Sequence, residues 1–254
     1  MRYFFKGDKY RPFEVIVDEA SQVPSYLTWS LIHAYPTIRK LVLVGDPEQL
    51  SPFGTIADTK IKSSFEVLRQ KQEPIFLDLQ FRLPLPLAEL VSKNAYESRL
   101  CTVPEKAAPP TCIQWVNIAG KEERDGHSKK NMAEVEAVCH LLESTLQTRL
   151  QDTVVLAFYK SQMETIRKEL ARRNLAVPVA TVDSFQGRES PIVLLSLVLS
   201  EPTGSKFIRD KSRALVALTR VQETLYLVGK KAYWERNSPV ALIKDFAKAA
   251  ILAE

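Results

Sequence analysis

The stretch that decides the fold is Val15-Ile-Val-Asp-Glu-Ala-Ser-Gln22, in which β-branched residues run directly into two carboxylates. A strand buried on both faces of a parallel sheet is a continuous apolar run, and the polar residues that bind ligands lie just beyond its carboxyl end. The stretch therefore predicts a buried strand with Asp18 and Glu19 at its tip. Two such carboxylates suit a Mg²⁺ ion and an attacking water, although a solvated acidic turn contains the same residues.

A second apolar run, Leu-Val-Leu-Val at residues 41–44, ends in the polar loop of residues 45–52. The helical pattern between the two runs, through Trp29, is long enough to make the strands parallel. Gln49 would then lie at the same sheet edge as Asp18 and Glu19. A turn rich in glycine, proline and aspartate has the same composition, so this loop alone leaves both interpretations open.

The composition is that of a globular protein, with 254 residues of which 45% are hydrophobic and 26% charged. A formal charge of +5 allows contact with phosphate backbones without requiring it. Three cysteines without a Cys-x-x-Cys spacing give no zinc site and indicate reduced thiols. The N-terminus is too polar for a signal peptide, and no apolar run approaches the ~18 residues of a membrane span. We expect a soluble protein of the cytoplasm, with the nucleus as the alternative.

The rest of the chain alternates between apolar runs and helical patterns, which predicts an α/β protein with parallel sheets. Capping boxes are predicted at Ser63 with Glu66 and at Ser161 with Glu164. The charged run KEERDGHSKK, residues 121–130, is interpreted as a surface loop. We expect strands at residues 75–78, 153–157, 192–198 and 224–228, and helices at 85–96, 212–220 and from 238 onward.

Six polar blocks occur in one order, each at a predicted strand end or helix terminus: DEASQ (18–22), GDPEQLSP (45–52), QFRLP (80–84), FYKSQ (158–162), TVDSFQGRE (181–189) and VALTR (216–220). Together they resemble the later motifs of superfamily 1 helicases of the up-frameshift-like group, over nearly the whole chain. The resemblance implies P-loop NTPase folds of the RecA-like kind, with doubly wound parallel sheets. Residues 1–78 would be the C-terminal part of a truncated first RecA-like domain, and residues 79–254 a complete second one.

For the first domain, the resemblance implies that ATP and Mg²⁺ are the ligands. Asp18 would hold Mg²⁺, and Glu19 would activate water, as the Walker B pair does. Gln49, in a block similar to the family's Gly-Asp-Pro-x-Gln-Leu-Pro-Pro, would sense the γ-phosphate.

For the second domain, the resemblance implies that Arg82 reaches the phosphates. It also implies that Phe81 is the aromatic residue that packs on the adenine. Gly187 and Glu189 match the motif around the nucleotide sugar, which also couples the two domains. Arg220 matches the arginine that closes on the γ-phosphate. An arginine's planar fork stays charged, which suits this task, although many arginines form surface ion pairs of little consequence.

Single-stranded RNA or DNA would lie opposite the nucleotide. Tyr159, Lys160, Gln162 and Thr181 are the candidate contacts, a mixture of phosphate donors and a stacking ring. Tyr159 is equally interpreted as a half-buried core residue with its hydroxyl at the surface. The sequence does not choose between RNA and DNA.

A P-loop, Gly-x-x-x-x-Gly-Lys followed by Ser or Thr, is absent from the 254 residues. We therefore expect the C-terminal portion of an ATP-dependent 5′-to-3′ helicase or translocase that is inactive alone, with the P-loop on another chain or elsewhere in the gene product. The alternative is a catalytically inactive helicase-like protein that binds nucleic acid or a partner helicase. If the six blocks were coincidence, a plain α/β binding module would remain.

Overall fold

The computed structural model of the protein describes residues 13–56, 59–103, 110–201 and 207–253. The chain divides into two compact units, Met1–Phe76 and Leu77–Glu254. We call them unit 1 and unit 2.

Unit 1 is built on two parallel strands joined by a helix, and the predicted strand-helix-strand arrangement is confirmed. The predicted burial of the first strand on both faces is wrong, because Val15 and Val17 are buried whereas Ile16 is 71% exposed. The register places Phe13 opposite Ile38 and Val17 opposite Leu43. Ser63 caps the last helix of the unit by accepting the backbone N–H of Glu66 at 3.0 Å, as predicted. The elements are β1 (Phe13–Val17), α1 (Ser25–Ala34), β2 (Ile38–Leu43), β3 (Thr55–Ile56), β4 (Thr59–Lys60) and α2 (Ser64–Leu68).

Unit 2 alternates strands and helices along most of its length. Its elements are β5 (Leu79–Gln80), α3 (Leu85–Ala95), β6 (Cys101–Thr102), β7 (Ile113–Asn117), β8 (Glu123–Asp125), β9 (Ser128–Lys130), α4 (Met132–Ser144), β10 (Thr153–Ala157), α5 (Lys160–Arg172), β11 (Val179–Thr181), β12 (Ser190–Ser196), α6 (Lys211–Leu218), β13 (Val221–Gly229), α7 (Lys231–Asn237), α8 (Ala241–Ala249) and β14 (Ile251–Leu252).

A six-stranded sheet in the order β11-β10-β12-β13-β7-β14 is the centre of unit 2, and all its neighbouring strands are parallel. Helices α4 and α5 pack on one face, over residues such as Leu194 and Val228. The alternate residues Leu195 and Leu227 point the other way and are equally buried. Both faces are therefore covered, which confirms the predicted doubly wound α/β class and explains the continuous apolar runs.

The predicted strand at residues 75–78 is wrong. Among the described residues no strand pairs with this segment, and Ile75 and Leu77 are 91% and 76% exposed. The pairing begins with β5, where Leu79 lies opposite Cys101. Apolar character alone does not make a strand, because the side chains of Ile75 and Leu77 gain nothing from an extended conformation that leaves them exposed.

Two further predictions about loops and caps are wrong. Residues 121–130 are not a plain loop, because β8 and β9 form an antiparallel hairpin within them. Ser161 does not cap α5: the N-cap residue is Tyr159, and the Ser161 hydroxyl donates to Asp125 instead. None of the helices in the described part of the chain has the length and apolar character that crossing a membrane demands.

Candidate functional site

The carboxylate pair of unit 1 lies directly after β1, and neighbouring residues hold it in place. Asp18 is exposed, and its Oδ1 accepts the backbone N–H of Glu19 at 2.8 Å. Glu19 has a φ of 51°, a left-handed conformation that is uncommon for residues other than glycine and that concentrates at functional sites. The Glu19 carboxylate accepts Nε2 of Gln22 at 2.8 Å. The pair is thus oriented locally, with Asp18 presented to solvent.

Gly45 allows the loop after β2 to approach the loop after β1. A Cβ atom on Gly45 would lie 2.7 Å from the backbone N of Ser21 and 3.0 Å from that of Ala20. Ala20 donates its N–H to the carbonyl of Val44 at 2.8 Å, so the two strand ends are bonded directly. Only glycine permits this approach without displacement of the backbone.

Asp46 organises the polar loop after β2. Its Oδ1 accepts the N–H of Glu48 at 3.0 Å, and its Oδ2 accepts Nε2 of Gln49 at 2.8 Å. Gln49 therefore lies beyond the same strand ends as Asp18, with its amide N–H already engaged. Its role in sensing a γ-phosphate stays a prediction.

No cluster of metal ligands is visible in the described part of the chain: three or more His, Cys, Asp or Glu side chains are nowhere grouped to hold an ion. Mg²⁺ usually keeps several waters and takes one or two carboxylates together with substrate phosphates. A single exposed carboxylate such as Asp18 fits that demand, and the metal site stays a prediction.

Three of the polar blocks meet at the amino edge of the six-stranded sheet in unit 2. Arg82 forms an ion pair with Glu189 through its Nε atom, and its Nη1 donates to the carbonyl of Thr219 at 3.2 Å. Glu189 also accepts Nε2 of Gln222 at 2.6 Å. These contacts join residues 107 and 137 positions apart in the sequence. They bring QFRLP, TVDSFQGRE and VALTR together at the starts of β12 and β13.

The charge of Glu189 is maintained by this arrangement. Burial pushes the pKa of Glu189 up, but the hydrogen bond and charge of Arg82, with smaller contributions from Gln222 and Arg220, outweigh burial. The pKa therefore lies below its usual range. Glu189 and Arg82 together form a charged pair that is partly exposed at this edge.

Arg220 belongs to the same edge but is only 2% exposed. Its Nε donates to the carbonyl of Val216 at 3.0 Å, and its Nη2 donates to Oγ1 of Thr219 at 2.9 Å. Contact between Arg220 and a phosphate stays a prediction, and it requires the guanidinium to become accessible.

Phe81 and Gly187 lie beside these charged groups along the chain. Phe81 is 63% exposed, so its ring is available to a ligand. Gly187 has a φ of +75°, and a Cβ atom there would meet nothing within 4 Å. Conformation rather than space therefore favours glycine at this position. The predicted adenine and sugar contacts remain predictions.

The predicted nucleic-acid residues lie at the opposite, carboxyl edge of the same sheet, where β10 and β11 end. Lys160 has a side chain that is 75% exposed, with a 3.7 Å ion pair to Glu164. Thr181 is partly exposed, and its hydroxyl is 2.9 Å from that of Ser184. These two side chains remain candidates for contact with a phosphate backbone.

The structure contradicts the other two candidates. Gln162 is fully buried: its Oε1 accepts the N–H of Asn131 at 2.8 Å, and its Nε2 donates to Oγ of Ser196 at 2.9 Å. Both polar atoms are used in the core, so Gln162 does not reach a nucleic acid. Tyr159 is 7% exposed and packs with the core, which excludes a stacking ring at the surface.

Sequence reasoning missed Arg213. Its Nε and Nη2 donate to the two carboxylate oxygens of Asp183 at 2.8 and 3.1 Å, which ties α6 to the loop that contains Gly187. A bidentate pair of this kind fixes geometry as well as charge. Nothing in the spacing of the two residues signals the contact, because they lie on different elements.

A protein-family model described as AAA domain matches residues 61–232, and a second AAA domain model matches residues 5–55. The chain is 30% identical to the NFX1-type zinc finger-containing protein 1 homolog of Caenorhabditis elegans, over 91% of the chain and 10% of that protein. It is 29% identical to Helicase SEN1 of Saccharomyces cerevisiae, over 85% and 11%. It is 30% identical to the 5′-3′ DNA helicase ZGRF1 of Mus musculus, over 88% and 13%. The chain thus spans little more than a tenth of the length of these curated relatives.

Proposed function

The chain belongs to the superfamily 1 helicases, in their up-frameshift-like group, and we propose that it forms the part of such an enzyme that couples ATP hydrolysis to movement along nucleic acid. Its parallel sheet of unit 2 has the RecA-like fold of P-loop NTPases. The track would be single-stranded RNA or DNA. A 5′-to-3′ direction is part of the proposal, supported by the similarity to the 5′-3′ DNA helicase ZGRF1 of Mus musculus.

One observation carries the proposal: the bonding of Arg82 to Glu189 and to the carbonyl of Thr219. It gathers three separated blocks at the amino edge of the sheet, while Lys160 and Thr181 lie at the carboxyl edge. One sheet thus connects two chemically different edges. A translocase must pass a structural change at the nucleotide on to the nucleic acid. A single sheet that reaches both sites would provide that path.

The proposed roles follow from the chemistry of phosphoryl transfer, which needs charge neutralised on the phosphate oxygens more than covalent catalysis. In unit 1, Asp18 would hold Mg²⁺ of the bound ATP, Glu19 would take a proton from water, and Gln49 would contact the γ-phosphate. In unit 2, Arg82 and Arg220 would bind the phosphates as fixed positive charges.

The remaining predicted residues would bind the rest of the nucleotide. Phe81 offers an exposed ring to the adenine. Gly187 and Glu189 would lie around the sugar, where Glu189 also positions Arg82 through their ion pair.

A second candidate function is favoured by the lack of a P-loop in the 254 residues. Without the backbone amides of that loop, these residues do not cradle the phosphates by themselves. The cradle would come from another segment or from a partner chain. If neither supplies it, the protein would be a helicase-like module that binds nucleic acid or a partner helicase without hydrolysing ATP.

Binding of single strands tests what the two candidates share. The purified chain is titrated against labelled oligouridylate and oligothymidylate at rising salt, with fluorescence anisotropy as the measurement. The affinity should fall steeply with salt because each neutralised phosphate releases counterions. A flat salt response would remove the nucleic-acid assignment. The reading frame upstream of Met1 then separates the candidates, since a P-loop motif there supports the helicase.

A further inference from the structure

The hairpin formed by β8 and β9 is the most charged segment that the proposed function leaves unexplained. Its register runs from Glu123 opposite Lys130 to Asp125 opposite Ser128. The two-residue turn begins with Gly126, whose φ of +58° suits a tight hairpin turn. The hairpin is therefore a defined structure that presents its side chains in a fixed order.

One face of the hairpin is anchored to the first turn of α5. The N–H of Ser161 donates to Oγ of Ser128 at 3.1 Å, and the Ser161 hydroxyl donates to Oδ2 of Asp125 at 2.5 Å. Side chains alternate between the faces of a strand, so Asp125 and Ser128 define the face toward the helix. Since Lys160 immediately precedes Ser161, the hairpin lies beside Lys160 at the carboxyl edge of the sheet.

The base of the hairpin is tied to the segment after β12. Glu122 accepts the N–H of Ser200 at 2.9 Å and its hydroxyl at 2.5 Å, and lies 3.5 Å from Nζ of Lys129. Burial raises the pKa of Glu122, but the hydrogen bonds from Ser200 and the charge of Lys129 outweigh it and hold the pKa below its usual value. The hairpin is thus held from a second side.

A buried polar network lies directly beneath the hairpin. Asn131, the residue after β9, donates its N–H to Gln162 at 2.8 Å and its side-chain amide to the carbonyl of Val198 at 3.2 Å. Glu134 accepts the hydroxyl of Ser196 at 2.6 Å and the N–H of Val198 at 2.9 Å. The network fixes the hairpin, α5 and the end of β12 in one arrangement. A supporting layer of this kind preorganises a binding surface.

Three cations in and beside the hairpin take no part in the ion pairs of the described residues. Lys121, Arg124 and Lys130 form no ion pair with any residue that the structure describes. Arg124 also lies directly opposite Lys129, and like charges in that position destabilise a strand pair. The charge of Arg124 therefore does not stabilise the hairpin, whereas Lys130 lies opposite Glu123. Arg124 is exposed and available to an anionic ligand, as is the exposed Lys160.

We propose that the β8–β9 hairpin, together with Lys160, binds the phosphate backbone of single-stranded nucleic acid. The inference rests on the proposed function and extends it to residues outside the six blocks. Lysine and arginine contacts to phosphate position a nucleic acid without reading its sequence. A nucleic acid fits better than an acidic protein because the hairpin shares the carboxyl edge with Lys160 and Thr181, the remaining candidate contacts of the proposed track.

The test compares the full chain with the double variant Arg124→Ala/Lys130→Ala, using anisotropy with labelled oligouridylate over a range of salt. Each lost phosphate contact on a single strand should reduce the slope of log affinity against log salt by about 0.7. The double variant should therefore show a slope shallower by about 1.4 and bind about 25-fold more weakly near 0.1 M salt. Unchanged thermal unfolding, followed by circular dichroism, shows that the variant is folded.

The matched control is Lys168→Ala/Lys248→Ala, which removes the same charge from exposed positions on α5 and α8. It should retain the wild-type slope. Equal losses in both double variants would mean a general charge effect and would overturn the hairpin assignment, as would an unchanged slope in the hairpin variant. Failure of the wild-type chain to bind any single strand would instead overturn the proposed function itself. Binding by the wild type and loss in the hairpin variant alone support both.

Discussion

Arg82 and Arg220 differ in what each needs before it binds a phosphate. The side chain of Arg82 is 36% exposed and is held by Glu189, so an anionic ligand would compete with that carboxylate. Arg220 is 2% exposed and donates to oxygens of Val216 and Thr219. Phosphate binding by Arg82 is therefore limited by competition with Glu189, and phosphate binding by Arg220 is limited by access to its guanidinium group.

Arg220→Ala should abolish ATP turnover in a polypeptide that supplies a P-loop together with this chain. Loss of an arginine that stabilises phosphoryl transfer typically costs about 10³-fold or more in rate. Steady-state phosphate release measures the effect, and Arg220→Lys, which keeps the charge without the planar fork, is the control. Turnover within about tenfold of the wild type would contradict the assigned role.

Glu134 should make stability depend on pH. Burial raises the pKa of Glu134 to about 8, outweighing the hydrogen bonds from Ser196 and Val198, whereas the unfolded carboxyl titrates near 4.5. The folded state therefore binds an extra proton between these values. The contribution of Glu134 to the free energy of unfolding is therefore complete below the unfolded pKa. It is lost as pH rises toward 8, and the free energy of unfolding falls by about 1.4 kcal/mol per pH unit.

Glu134→Gln removes this titration while keeping the shape of the side chain. Urea unfolding of both proteins from about pH 5.5 to about pH 8.5 should show the wild type losing free energy of unfolding relative to the variant as pH rises. The difference should level off above the folded pKa. A difference that stays constant across this range would show that Glu134 is ionised throughout.

Among the secondary-structure elements, α6 delivers Arg220 to the amino edge of the sheet. Asp210 caps its first turn by accepting the N–H groups of Ser212 and Arg213 at 3.0 and 3.3 Å. Arg213 connects the same turn to Asp183 through a bidentate ion pair. The start of α6 is therefore bonded to the loop of Gly187, while its end leads into Arg220.

Asp210→Ala should lower the free energy of unfolding by about 1 kcal/mol because the N-cap oxygen is lost. Asp210→Asn retains a good capping oxygen and should keep most of that stability. Urea titration of the three proteins separates the cap from the charge. Equal losses in both variants would assign the effect to the Asp210–Arg213 ion pair rather than to the cap.

For the molecule as a whole, the decisive feature is what the 254 residues contain and lack. They include Asp18 and Glu19 in unit 1 and Arg82 and Arg220 in unit 2, but no P-loop. The inferred reaction needs all of these groups, because backbone amides hold the phosphates while the charged side chains act on them.

The purified chain alone should therefore show no nucleic-acid-stimulated ATPase activity. Phosphate release is measured with and without oligouridylate at saturating ATP and Mg²⁺, and Arg220→Ala serves as the background control. Stimulated turnover in the wild type that disappears in Arg220→Ala would show that these residues supply a phosphate cradle of their own.

The sequence by itself determined the order of the polar blocks and those strands and helices whose apolar pattern is strong, but not the hairpin of β8 and β9. The fully buried strand Thr153–Ala157 lies where its apolar run predicts it, because burial of consecutive apolar side chains is encoded locally. The parallel pairing of β1 and β2 followed from the length of the crossover between them in the same way.

Only the tertiary structure decided which polar side chains remain available for a ligand. Gln162 and Lys160 belong to one block, yet Gln162 is bonded inside the core and Lys160 is exposed. Arg82 meets Glu189 across 107 residues, and the β8–β9 hairpin docks on α5 through Ser161. The physical reason is that an apolar run gains from burial whatever its neighbours are, whereas a polar side chain is buried only where distant segments bring it hydrogen-bond partners.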